Sequence, residues 1–133
     1  MPVRSDPHRA IWETILRQMA GAIAPLQNTT DGMWRSALLD ADAFANPETT
    51  GTALFTFALA YGVNEGILPE APYRAQALAG WHGLSTISLQ SDGLVGYCQQ
   101  AAGSPGPATP TSTTDYCVGQ FLLAGSEIWR MVR

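Results

Sequence analysis

The residues with chemistry to offer sit at turns and at the starts of apolar stretches. Asp31 and Asp92 each precede a glycine, Glu48-Thr-Thr-Gly-Thr52 opens one apolar stretch, and Thr113-Thr-Asp-Tyr116 opens another. A carboxylate serves as a general acid when it holds a proton near neutral pH within hydrogen-bond reach of the reacting atom. An Asp before Gly more commonly bonds its own turn, and neither Asp31 nor Asp92 is expected to be such an acid. A helix start carries unpaired N–H groups and the positive end of the helix dipole, so it favours an anion. Thr49 and Thr50 are therefore candidates both for capping a helix and for facing an anionic ligand. At the later stretch Asp115 reads as the cap. Trp34, just behind the Asp31-Gly32 turn, is either a stacking platform for a ring or a packing residue.

Other side chains offer less. His8 and His82 have no carboxylate, cysteine or second histidine at ligand spacing. Cys98 and Cys117 could pair across a loop, but their spacing fits no metal pattern. Free or merely structural thiols are expected.

Composition excludes further classes. The chain has 133 residues and a net charge of −4, from seven basic and eleven acidic side chains. Without a basic cluster it lacks the electrostatic footprint of a nucleic-acid binder. The longest apolar run, residues 53–61, is too short to span a bilayer. Residues 1–6 lead into an amphipathic segment with no signal-peptide core, and a cytoplasmic location is expected. Only 14% of the residues are charged, against about 25% in an ordinary soluble domain. Such a surface is expected to be covered by a partner or by further protein.

The elements that must position these residues are helices. Ser5 or Asp6 can cap a first helix, with Pro7 in its first turn. Ile11, Ile15, Met19, Ala22 and Leu26, with Trp12, Leu16 and Ile23 alongside, form its apolar stripe, which is expected to face the core. Pro25 and Asn28-Thr-Thr-Asp-Gly32 end it, and residues 33–39 read as a short extended stretch. A second helix begins near Glu48; residues 53–61 are apolar on every side, so burial all round is expected. A third runs from about Glu70 to Ser88 with Tyr73, Ala77, Leu78, Trp81, Leu84 and Ile87 on one face. A Gly/Pro/Thr-rich loop follows, and a fourth helix runs from about Asp115 to Met131. The halves repeat: Leu26-Gln27…Asp31-Gly32 matches Leu89-Gln90…Asp92-Gly93. Two helical-hairpin units, 5–68 and 69–133, make an all-α solenoid or toroid that is short of the three units usually needed for stability.

Asp31-Gly-Met-Trp34, Glu48-Thr-Thr-Gly-Thr-Ala-Leu-Phe55, Ala60-Tyr-Gly-Val-Asn-Glu-Gly-Ile-Leu68, Trp81-His-Gly-Leu84 and Asp115-Tyr-Cys-Val-Gly-Gln-Phe-Leu-Leu-Ala-Gly-Ser-Glu127 stand in an order and spacing that carry a family likeness. In these segments the chain resembles the C-terminal third of the unsaturated glucuronyl/rhamnogalacturonyl hydrolases, glycoside hydrolase families 88 and 105. The resemblance implies an α/α toroid of six hairpins, of which this chain supplies two. It implies removal of a terminal 4,5-unsaturated uronic acid from pectin- or glycosaminoglycan-derived oligosaccharides. The mechanism the resemblance implies has an aspartic acid protonate the enol-ether double bond, water add and the hemiketal open; it needs no metal or organic cofactor and differs from the anomeric attack of two-carboxylate glycosidases. The family's catalytic aspartate and its Trp-Ala-Arg-Gly-Asn-Gly-Trp segment have no counterpart here, so no catalytic residue is expected in this chain. The same resemblance brings Thr113 and Tyr116 to the substrate pocket beside Trp34, Thr49 and Thr50. Partners follow from it: the oligosaccharide, and either the rest of the barrel or a second copy of the chain. The competing expectation is a helical-repeat module that binds or oligomerises without catalysis.

Overall fold

The computed structural model describes residues 6–133; Ser5, one of the two expected caps, lies outside the described residues. Four helices carry the fold: α1 (Arg9–Ile23), α2 (Thr49–Asn64), α3 (Glu70–Gly83) and α4 (Asp115–Val132). No strand forms among the described residues; Leu89 and Val95 make one isolated bridge. Helix α3 passes directly into a wider π-helical turn, Leu84–Ser88. The expected third helix is thus continuous in direction but changes its winding. Residues 33–39, expected to be extended, are irregular instead, because Trp34 N–H bonds the Thr52 hydroxyl (2.9 Å) and no neighbouring strand.

Helix α2 is the centre of the packing, with its most extensive contacts to α4 and then to α3. One core cluster gathers Ala20, Ile23, Trp34, Leu59, Leu68, Ala77 and Ile128. The other gathers Met33, Ala53, Leu84, Val95, Cys98, Cys117 and Phe121. Helices α2 and α4 run parallel: Asn64 Nδ2 near the end of α2 donates to the Glu127 carbonyl and carboxylate, both at 2.9 Å. Arg130 completes that end by bonding Glu127 (2.9 Å) and Glu65 (3.0 Å), and both carboxylates raise its pKa.

The repeated turns form as expected. Asp31 Oδ1 accepts from Met33 N–H (2.9 Å) and Asp92 Oδ1 from Leu94 N–H (3.0 Å). The glycines that follow are left-handed, with φ of 74° at Gly32 and 89° at Gly93, a region costly for residues with a Cβ. At Gly32 a Cβ would also strike the Ala79 carbonyl. Asp31 is held further by Arg35, at 2.7 Å.

Three expectations are corrected by the packing. First, the apolar stripe of α1 faces outward: Ile11 and Met19 are each 55% exposed, and Trp12 and Ile15 are open as well. Of the apolar residues read alongside that stripe, Ile23 is buried, and Ala20 turns inward with it. Periodicity locates an apolar face; it does not say what covers it. Second, α2 is not buried all round, since Leu54 is 42% exposed. On α4, Leu122, Trp129 and Val132 are open too. Third, Cys98 and Cys117 are not free thiols; they form a disulfide. The chain from Tyr97 to Cys98 is folded back by Tyr97 N–H to Thr109 O (2.7 Å) and Cys98 N–H to Ser112 O (2.9 Å). That brings Cys98 onto the first turn of α4.

The outward stripe yields a simple check. A Met19→Gln substitution is expected to change the unfolding free energy of this chain by no more than about 0.5 kcal/mol, as at other exposed positions. A loss of several kcal/mol in urea unfolding would mean that the stripe lies in the core.

Candidate functional site

Because α2 and α4 are parallel, their starts lie side by side at one end of the molecule. The segment Val95–Gln100 runs across that end. Six of the residues around the resulting cavity of about 340 Å³ matter here: Thr50, Leu54 and Phe55 from α2, Gln99 from the segment, and Tyr116 and Gln120 from α4. The volume falls within the usual range of small-molecule sites, roughly 300–1,000 Å³. No Lys, Arg or His lines it.

The start of α2 explains its own geometry. Glu48 is the N-cap: its Oε2 accepts from Gly51 N–H (2.7 Å), and its Oε1 from Thr50 N–H (2.7 Å) and from the Thr50 hydroxyl. Gln99 N–H adds a bond at 3.3 Å. A carboxylate at a helix N-terminus is favoured by the same partial charges that would favour a bound anion. Here the chain supplies the anion itself, in a side chain only 5% exposed. The expectation that free N–H groups at this helix start receive an external anion is therefore corrected. Helix α4 is capped by Thr114, whose hydroxyl oxygen accepts from Cys117 N–H (3.3 Å). Asp115, expected as the cap, is the first helical residue.

The expected contact residues separate into two groups. Thr50 and Tyr116 are brought together on the cavity wall, and the Tyr116 hydroxyl donates to the Gln99 carbonyl at 2.6 Å. Thr49 is fully buried; its hydroxyl donates to the Gly96 carbonyl (2.7 Å) and receives the Ser88 hydroxyl (2.7 Å). Trp34 is 1% exposed. Its indole N–H is spent on the Ile23 carbonyl (2.8 Å), and its ring packs T-shaped against that of Phe55. In this chain neither Trp34 nor Thr49 offers a surface to a ligand. Thr113 is exposed and stands outside the cavity lining.

Three residues of the site escaped sequence reasoning. Glu48 was legible only as part of a hydroxyl-rich start, though an acidic residue directly before Thr-Thr-Gly was signal enough for a cap. Gln120 was the one polar residue in the run 116–124 that follows Asp115, and its amide oxygen is buried with no partner. Tyr97 carried no signal: it holds a left-handed φ of 56°. Strain of this kind persists where the surroundings over-determine it. Here Thr49 N–H bonds the Tyr97 carbonyl (2.9 Å), Thr109 bonds its N–H, and the disulfide follows it directly.

Among the described residues no group of three or more His, Cys, Asp or Glu is placed to hold a metal ion. No helix of the described residues is long and apolar enough to cross a membrane.

Comparison with known proteins agrees on one relationship. The profile of Glycosyl Hydrolase Family 88 matches residues 1–132. An unsaturated 3S-rhamnoglycuronyl hydrolase of Formosa agariphila is 37% identical over 124 residues, which is 93% of this chain and 32% of that protein. A protein of the same name from an Alteromonas species is 34% identical, over 92% of this chain and 30% of its own length. Among solved structures, a glycosyl hydrolase family 88 protein from Bacteroides vulgatus superimposes with a TM-score of 0.86 at 34% identity, over 96% of this chain and 37% of that one. A chain described as a polysaccharide lyase superimposes with a TM-score of 0.87 at 38% identity, over 97% and 37%. The chain thus spans about a third of the length of the relatives it matches, and its four helices are a section of an α/α toroid.

Proposed function

The chain belongs to glycosyl hydrolase family 88, and on that premise we propose that it is the C-terminal section of a hydrolase that removes terminal 4,5-unsaturated uronic acids from lyase-generated oligosaccharides. In this reading its contribution is one wall of the saccharide site, at the starts of α2 and α4. The observation that carries it is the cavity in which Thr50 and Tyr116 meet. The reaction is protonation and hydration of the enol-ether double bond, and the general acid belongs to a section of the toroid outside this chain. Three of its carboxylates are otherwise engaged. Asp31 bonds Arg35 and its turn, Asp92 bonds its turn, and Glu48 is saturated by four donors.

The outward faces of α1 and α4 support the same reading. Ile11, Trp12 and Met19 on one helix, with Leu122, Trp129 and Val132 on the other, are each more than half exposed. Exposed apolar residues in such number mark surface that another element covers, here the remaining hairpins of the barrel. The disulfide supports an oxidising compartment over the cytoplasm for this chain.

The same exposed faces support the rival reading of a module that oligomerises through them. Sedimentation and dye binding separate the two. A section of a toroid is expected to bind an apolar-surface dye and to associate without fixed stoichiometry. A discrete oligomer with a sharp cooperative melt and little dye binding would favour the module.

A further inference from the structure

We infer that the Cys98–Cys117 disulfide is a positioning device: it holds Tyr116 against the Gln99 segment and so sets the affinity for substrate. The inference rests on the role proposed above for Tyr116 and adds how that side chain is kept in place.

The two cysteines stand beside the two residues that must meet. Cys98 directly precedes Gln99, and Cys117 directly follows Tyr116. Gln99 and Tyr116 both line the cavity. A hydrogen bond joins them, from the Tyr116 hydroxyl to the Gln99 carbonyl at 2.6 Å. The disulfide is a second, covalent link across the same junction.

The two sides of that junction are held with different firmness. Thr49 N–H bonds the Tyr97 carbonyl (2.9 Å), Cys98 N–H the Ser112 carbonyl (2.9 Å) and Gln99 N–H the Glu48 carboxylate (3.3 Å). The segment is thereby fixed to α2 and to the returning loop. The first turn of α4 has less. Its cap, Thr114, accepts from Cys117 N–H at 3.3 Å, whereas Glu48 takes two N–H groups at 2.7 Å at the start of α2. Residues 101–105 of the loop leading to α4 are all exposed, and Tyr116 itself is 42% exposed. Helix ends with unsatisfied N–H groups fray readily. Cys117, by contrast, is fully buried and bonded to an equally buried Cys98. The bond therefore anchors the loosely capped turn to the fixed segment. A side chain ordered beforehand spares the cost of ordering it when a ligand binds. Loss of the bond thus falls on affinity, while proton transfer, which belongs to another section of the toroid, is spared.

The test uses a complete toroid, made by putting this chain in place of the matching third of an active family-88 hydrolase. Cys98→Ala/Cys117→Ala is expected to raise KM about fivefold and to leave kcat within about twofold, an effect within the range for coupled neighbours. Tyr116→Ala is expected to raise KM as well, and the cysteine pair added to it to raise KM no further. A second pair, Cys98→Val/Cys117→Ala, refills part of the lost sulfur volume and serves where the first does not fold; the same KM pattern is expected. An unchanged KM with only a lowered melting temperature overturns the inference and leaves the saccharide role standing. A KM rise of equal size in the Tyr116→Ala background overturns it too, because the bond then acts by another route. A folded, active chimera whose KM ignores Tyr116→Ala removes the saccharide role of that residue, and the inference with it.

Discussion

A Trp34→Ala chain is expected to lose about 3–5 kcal/mol of stability, a large share of the roughly 5–15 kcal/mol that holds a domain together. Trp34 is the largest fully buried side chain. It joins Ile23, Leu59, Ala77 and Ile128 in one cluster, so truncation leaves a cavity bordered by all four helices. The bond from its indole to the Ile23 carbonyl goes too, at a further net cost of about 0.5–1.5 kcal/mol. Trp34→Phe keeps much of the volume and is expected to fall between. Urea unfolding followed by circular dichroism measures both. A Trp34→Ala chain with native stability and weakened sugar binding would restore the stacking-platform reading of this residue.

The second large effect concerns the Cys98–Cys117 bond. It closes a loop with a sequence separation of 19, and loops of that size are worth roughly 3 kcal/mol when cross-linked. The Cys98→Ala/Cys117→Ala double variant is expected to lose that much. The loss should be accompanied by faster amide exchange between residues 98 and 112, which the bond holds against the first turn of α4. Alkylation of the denatured, unreduced chain should leave its mass unchanged, and reduction before alkylation should add two labels. Two labels without reductant would show that the thiols are free and that the cavity wall lacks its staple.

Both effects bear on how far residue types alone led. Helix positions followed from periodicity and punctuation, and the Asp31-Gly32 and Asp92-Gly93 turns from the chemistry of the pair. The burial sense of those helices did not follow. Ile11, Ile15 and Met19 carry the strongest repeat in α1, yet they point away from this chain's core. A seam with another element has the same period as a core face. The site was legible in part. Thr50 and Tyr116 were picked from helix starts and from family resemblance, and they meet. Glu48 was passed over because serine, threonine and aspartate dominate helix caps. Its side chain reached the same N–H groups and removed them from the list of ligand donors. The pairing of Cys98 with Cys117 depended on how the loop from residue 99 to 116 returns, which spacing does not specify.

One pH effect follows from the surface of α1. Glu13 accepts from Arg17 and Arg9, and these two guanidinium groups hold its pKa below 4.5. A lowered carboxylate pKa stabilises the fold above the unfolded value and ceases to do so as pH falls through the folded one. The group is fully exposed, so its part in acid unfolding is expected to be small. An NMR titration of Glu13 is expected to give a midpoint below the ordinary glutamate value, and Arg17→Ala to raise it.

The most direct test of the account is to put this chain in place of the matching third of an active family-88 hydrolase and follow the ultraviolet absorbance of the unsaturated uronate. The chimera is expected to consume the double bond, the isolated chain to leave it untouched, and Tyr116→Ala in the chimera to raise KM more than it lowers kcat. Hydrolysis by the isolated chain would place the general acid among its own residues. A folded chimera with no activity would contradict the claim that these helices supply a wall of the family's site.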